Sequence, residues 1–177
     1  MRGVFGLALI VVVSGSVRAG IEPDVVYRTV NGVELGMDVA VPEGSGPFPV
    51  VICLHGGGWS MGSRKSFHGI IVDLAENGFV AASIEYRLAP AARHPAQVED
   101  IRAAIRFLRA NALRWNIDRS RVVLMGASAG AHLALLAGLP RKDRATRVQA
   151  VIDVSGPTDL RDWRMNETAE RALRDST

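Results

Sequence analysis

Two short stretches hold residues whose types and spacing could do chemistry. Gly126-Ala127-Ser128-Ala129-Gly130 sets a serine hydroxyl between two glycines, directly after the apolar run 121–125 and before the helix-forming stretch 129–139. A serine on so tight a strand-to-helix turn has strained backbone angles and its Oγ pushed out above the sheet. Glycines flank it because any side chain there would collide where strand and helix cross. A hydroxyl presented in this way can attack a carbonyl carbon. The plain alternative is a Gly/Ala-rich helix entry without chemistry.

The second stretch is His55-Gly56-Gly57-Gly58-Trp59, which follows another apolar run, 50–54. Three successive glycines let the chain fold back and aim bare N–H groups into a cavity. There they could stabilise the oxyanion that develops when a nucleophile adds to a carbonyl. A flexible loop is the competing reading.

The elements that must position these stretches are legible from periodicity. Residues 24–30 and 33–41 read as strands joined by Asn31-Gly32, a strong hairpin signal. The continuous apolar run 50–54 has the pattern of a strand buried on both faces. Helix is expected over 67–76, strand over 79–86, and an amphipathic helix over 95–114. On that last helix Val98, Ile101, Ile105, Leu108 and Ala112 share one face, and Arg102, Arg106 and Arg109 form a solvated one. Strand 121–125, helix 129–139 and strand 150–154 complete the series. A hairpin followed by alternating strands and helices predicts an α/β fold: a mostly parallel sheet with helices on both faces. Sites in such sheets form at the carboxyl ends of strands, where both glycine-rich stretches lie. Neither has the Gly-x-Gly-x-x-Gly or Gly-Lys-Ser/Thr pattern that would cradle a dinucleotide or phosphate.

The 177 residues, 48% hydrophobic and 22% charged, allow one domain with a real core. The N-terminus reads as a cleavable export signal. Arg2 supplies the positive start, 4–13 a short apolar core and 14–19 a small-residue tail, with cleavage expected after Ala19. That core is shorter than the roughly 20 residues a bilayer requires, so stable membrane insertion is not expected. Domain boundaries are therefore 1–19 for the signal and 20–177 for the catalytic-type domain, with a secreted or periplasmic destination. Removing Arg2 and Arg18 from the 21 basic residues leaves 19 against 18 acidic ones. The arginines are also scattered, which excludes a nucleic-acid partner. Cys53, the one cysteine, is expected to be a small buried hydrophobe.

Five motifs in order carry a resemblance: HGGGW (55–59), YRLAP (86–90), HPAQVED (94–100), GASAG with AHLA (126–134) and VSGPTDL (154–160). Over about 27–160 the sequence resembles the α/β-hydrolase superfamily. It looks most like the carboxylesterase branch that includes hormone-sensitive-lipase-like and feruloyl/acetyl-esterase-like enzymes. The resemblance implies Ser128 as nucleophile and the N–H groups of Gly57, Gly58 and Ala129 as oxyanion hole. His55, Gly56, Trp59, Gly126 and Gly130 would support them, and no metal or organic cofactor is needed. Substrates would be small-molecule esters or acyl groups linked to a polysaccharide; the first strand begins so close to the cleavage site that no N-terminal helical cap is expected over the pocket.

The pattern breaks after the nucleophile. The superfamily's chain order is Ser, then Asp or Glu, then His. Only His132 follows Ser128, four positions on in the same helix, with no acid between. Asp153 and Asp159 follow, but relatives carry the triad acid after a later strand. The triad acid and histidine are therefore expected to be absent from this chain, which reads as a C-terminally truncated hydrolase with little turnover of its own. A serine peptidase on the same fold, or a binding protein that has lost its base, are the alternatives.

Overall fold

The computed structural model describes residues 20–139 and 143–160. The expected export segment 1–19 lies outside the described residues. The chain opens with β1 (Gly20–Val30) and β2 (Val33–Val41), antiparallel across Asn31-Gly32. Both turn residues have positive φ, 50° and 80°, the backbone that a two-residue hairpin turn requires. β3 (Phe48–Leu54) follows, then a turn of 3-10 helix at Arg64–Phe67 and helix α1 (His68–Glu76). Next come β4 (Val80–Ile84), α2 (Ala96–Ala110), β5 (Ile117–Ala127), α3 (Ala129–Gly138) and β6 (Ala150–Val154).

The six strands form one sheet in the order β1-β2-β4-β3-β5-β6. β1 and β2 are antiparallel to their neighbours; β4, β3, β5 and β6 are mutually parallel. This is the expected mostly parallel α/β sheet with an antiparallel hairpin at its start. β3 lies between β4 and β5, which explains its unbroken apolar run. Val50, Ile52 and Leu54 pack into a core with α2 and α3 on one face. Val51 and Cys53 pack with α1 residues on the other. Burying a side chain such as Ile52 completely stabilises the fold by about 1.5–3 kcal/mol. Cys53 is buried as expected, and burial pushes its thiol up to about 12.

Because β3, β4 and β5 run in parallel, Leu54, Ile84 and Ala127 end at the same edge of the sheet. His55, Glu85 and Ser128 therefore emerge side by side, although they are far apart in sequence. β6 is an edge strand of the described sheet, with Ile152 and Val154 exposed.

Two expectations need correction. The amphipathic helix stops at Ala110 and not at 114. The chain turns through 111–116, with Asn116 at φ 53°, and Ala112 is buried from that turn. The three arginines are not simply a solvated face. Arg102 donates to the Leu136 carbonyl, and Arg109 donates to the carbonyls of Arg119, Ala145 and Arg147 at 3.0, 2.6 and 2.5 Å. Arg106, beside Asp143 at 3.4 Å, keeps a half-exposed ion pair. Desolvation pulls the Arg109 guanidinium below its ordinary value, as expected of a group committed to backbone carbonyls.

Candidate active site

Ser128 lies between the end of β5 and the first residue of α3, exposed, at φ 51° and ψ −118°. A non-glycine residue in that region costs about 1–3 kcal/mol and persists only where its surroundings dictate it. Here three hydrogen bonds do so. The Ser128 N–H donates to the Val154 carbonyl at 2.8 Å, and its own carbonyl accepts from the Ala131 and His132 amides at 3.0 and 3.1 Å. Gly130 supplies the close approach: a Cβ there would overlap the carbonyl oxygens of Leu54 and His55. Gly126 meets the backbone of Gly130 in the same way. The two glycines thus let α3 cross the end of β3, which sets the serine at the sheet edge.

The His55–Trp59 stretch folds against this corner. A Cβ on Gly56 would stand 3.1 Å from the Ala127 carbonyl and 3.4 Å from Ser128 Cβ, so the loop lies directly beside the serine. Gly57 adopts φ 122°, and its carbonyl accepts from the Ser60 and Met61 amides at 3.1 and 3.0 Å. Neither the Gly57 nor the Gly58 amide donates to a backbone carbonyl among the described residues, and Ala129 begins α3 with its N–H equally uncommitted. A helix N-terminus carries partial positive charge that favours a developing anion. Trp59, at φ 63°, holds its carbonyl on the Ala89 amide at 2.9 Å and its indole edge-on to His132, with ring centroids 5.5 Å apart.

His55 is fully buried under this loop. Its ring stacks on Tyr86 with centroids 4.3 Å apart, and its Nδ1 lies 2.8 Å from the Gly56 carbonyl. The Tyr86 hydroxyl donates to the His55 carbonyl at 2.7 Å; burial pushes that phenol well above its ordinary value. Arg87, the next residue of the same motif, binds Asp100 of α2 with both Nε and Nη2, at 2.8 and 2.9 Å. The 86–90 motif therefore fastens the glycine loop on one side and α2 on the other.

The other histidines do not reach Ser128 through any hydrogen bond. His68 Nε2 lies 2.5 Å from Asp38, and the buried Nδ1 of His132 has no hydrogen-bond partner among the described residues. Burial, helped by the neighbouring His94, pulls the His132 imidazole below its ordinary value. His94 and His132 flank a largely apolar cavity of about 530 Å³, bounded also by Trp59, Gln97 and Leu136. Asp153 is occupied locally, accepting from the Gly156 amide at 2.7 Å. No cluster of His, Cys, Asp and Glu among the described residues could hold a metal ion. No described helix is long and apolar enough to cross a membrane.

Sequence reasoning missed a set of charged residues behind the loop: Asp38 on β2, Arg64 at the loop's far end and Glu85 after β4. Arg64 lies 2.9 Å from Asp38 and 3.6 Å from Glu85, and also pairs with Asp24. Burial pushes the Glu85 carboxyl up, but His55 and Arg64 outweigh it, leaving the group below its ordinary value. Asp38 is lowered likewise: burial is offset by the Asp24 amide, His68 and Arg64. Carboxylates depressed in the folded state stabilise it above their unfolded range, near pH 4, and that stability is lost as pH falls through the folded values. The melting temperature should accordingly be level above about pH 5 and fall below about pH 4. Glu85→Gln should lower the plateau and flatten the fall, which a thermal scan across pH 3–7 would register.

Residues 37–177 match the BD-FAE family model. Esterase LipC of Mycobacterium tuberculosis is 38% identical over 137 residues, covering 71% of this chain and 33% of that protein. Carboxylesterase NlhH of the same organism is 34% identical over 110 residues, 62% of this chain and 31% of the relative. Among solved structures, Thermogutta terrifontis esterase 2 phosphonylated by sarin superposes with a TM-score of 0.70 at 25% identity, over 89% of this chain and 62% of that one. The same esterase has also been solved with propionate bound, at 26% identity. The chain thus spans about a third of these curated relatives and three-fifths of the solved one. With an exposed, strained serine on the elbow, a glycine loop beside it and a family match over most of its length, the chain belongs to the BD-FAE family within the hormone-sensitive-lipase-like branch of α/β-hydrolase carboxylesterases.

Proposed function

We propose that the complete protein is a secreted or periplasmic serine carboxylic ester hydrolase. The observation that carries this reading is the exposed Ser128 hydroxyl at φ 51°, with Gly56 packed against its Cβ. Ser128 Oγ attacks the ester carbonyl as a base takes its proton. The amides of Gly57, Gly58 and Ala129 receive the tetrahedral oxyanion. Collapse expels the alcohol, which leaves protonated, and water then releases the carboxylic acid from the acyl-enzyme and restores the serine. His55 is held to the loop carbonyl and not to the serine. The base and its orienting acid therefore come from outside the described residues, and the 177-residue chain alone is expected to turn over little substrate. Short acyl groups fit this reading, in line with the propionate bound to the solved relative. The acceptor alcohol is a small molecule or a polysaccharide carrying acetyl or feruloyl groups.

The test is a substrate panel offered to the complete gene product: aryl acetates and propionates, acetylated xylan, a feruloyl ester and a chromogenic peptide. Hydrolysis of esters without cleavage of the peptide supports the reading. Peptide cleavage with no ester activity would replace it with the peptidase alternative. Activity on soluble esters but none on acetylated xylan would remove the polysaccharide.

A further inference from the structure

The glycine loop that supplies the proposed oxyanion amides must be rigid to be useful, yet four of its residues, Gly56, Gly57, Gly58 and Gly62, are glycines with maximal backbone freedom. Its two ends lie close together. His55 begins it and Arg64 ends it, and the side chain of Glu85 touches both. Glu85 Oε1 accepts from the Arg64 backbone amide at 3.2 Å and lies 3.6 Å from the Arg64 guanidinium. The other oxygen, Oε2, stands 3.7 Å from His55 Nε2, an ion-pair distance. That nitrogen is buried and has no hydrogen-bond partner among the described residues, and the carboxylate is the charged group it faces. Nδ1 of the same ring meets the Gly56 carbonyl at 2.8 Å, inside the loop.

Arg64 is in turn held from behind. Its guanidinium lies 2.9 Å from Asp38 Oδ1, and Asp38 is fully buried in β2. The Arg64 carbonyl accepts from Ser83 Oγ at 2.7 Å, in β4. Gly36 on β2 makes room for the guanidinium: a Cβ there would stand 2.9 Å from Arg64 Nη1. Gly62 does the same for His55, since a Cβ would stand 2.5 Å from His55 Nδ1. The space for both side chains is thus built into the backbone.

We propose that Glu85 clamps the glycine loop at both ends and that Arg64, braced by Asp38, holds the clamp in register, making both positioning residues for the oxyanion amides. Neither touches the reacting atoms. The clamp acts through His55 and the loop carbonyls, so its loss loosens the loop while the sheet beneath stays folded. This rests on the esterase reading for its consequence in catalysis, but not for its structural content.

The experiment is residue-resolved amide hydrogen exchange on the protein and on Glu85→Gln and Arg64→Met. Three amides report on the loop's closure: Ser60 and Met61, which donate to Gly57, and Ala89, which donates to Trp59. Removing a charged hydrogen-bond acceptor should raise exchange at these three by about tenfold or more. The ladder amides of β3 and β4 should rise far less, by no more than the loss of global stability accounts for. Glu85→Asp and Arg64→Lys, which keep the charge, should give smaller increases and serve if the neutral variants do not fold. In the complete gene product, Glu85→Gln should lower kcat by about 10–100-fold with KM little changed, since misplacing a catalytic group by an ångström costs rate at that scale. Exchange that stays at wild-type levels in the loop, or that rises equally throughout the core, overturns the proposal, as does an unaltered kcat in an enzyme shown to depend on Ser128. A wild-type protein without Ser128-dependent hydrolysis would instead sink the esterase reading and leave the exchange result standing.

Discussion

Replacing Ser128 with alanine should reduce ester hydrolysis by the complete gene product at least ~10⁴-fold while leaving KM within about threefold. The serine hydroxyl is the exposed group at the corner between β5 and α3, where the strand ends and the helix begins. The substitution removes one oxygen and keeps the backbone, including the Ser128 N–H to Val154 hydrogen bond. Fold stability should therefore hardly move, with a melting temperature within about 2 °C of wild type. Paired rate and melting measurements separate loss of chemistry from loss of fold. A variant retaining even a tenth of the rate would mean the bond is broken elsewhere.

Gly130→Ala should have the largest effect on the fold itself. Its new Cβ would overlap the carbonyl oxygens of both Leu54 and His55, and these are backbone atoms at the end of a central strand. They cannot step aside as the tip of a flexible side chain would. Either α3 lifts from β3 or the glycine loop is displaced, at a cost of about 3 kcal/mol. For a domain of this size that corresponds to a fall of roughly 6–12 °C in melting temperature. Gly69→Ala provides the contrast. It lies in α1 with no atom within 4 Å of an added Cβ, and alanine favours a helix by about 1 kcal/mol, so its melting temperature should hold or rise. If both variants melt alike, the crossing of α3 over β3 is not what the glycine is for.

Much of this arrangement was legible because it is local. The run 50–54 is apolar at every position, and only a strand covered on both faces tolerates that. Asn31-Gly32 names its backbone angles directly, and the glycines around Ser128 announce a close crossing of two backbones. What escaped the sequence was mostly contact across the fold. Arg102, Arg106 and Arg109 share a helical face, and periodicity cannot tell water from carbonyl groups at 144–147. Ala112 continues the helical period, yet the chain has already turned; burial and helix are separate requirements that happened to coincide in pattern. Asp38, Arg64 and Glu85 are the clearest case. Each is an ordinary charged residue in its own neighbourhood, and they meet only because β2 and β4 are adjacent in the sheet and the loop returns over both. The one local hint was Glu85 itself, the acidic residue immediately before the 86–90 motif.

The central claim is that the Ser128 hydroxyl is the nucleophile, and covalent capture tests it most directly. The complete gene product would be treated with a phosphonate ester probe, digested, and its peptides mapped by mass spectrometry. The account predicts a single stoichiometric adduct on the peptide containing Ser128, formed in step with loss of ester hydrolysis and absent from Ser128→Ala. An adduct on another residue, or full inactivation with Ser128 unmodified, would contradict it.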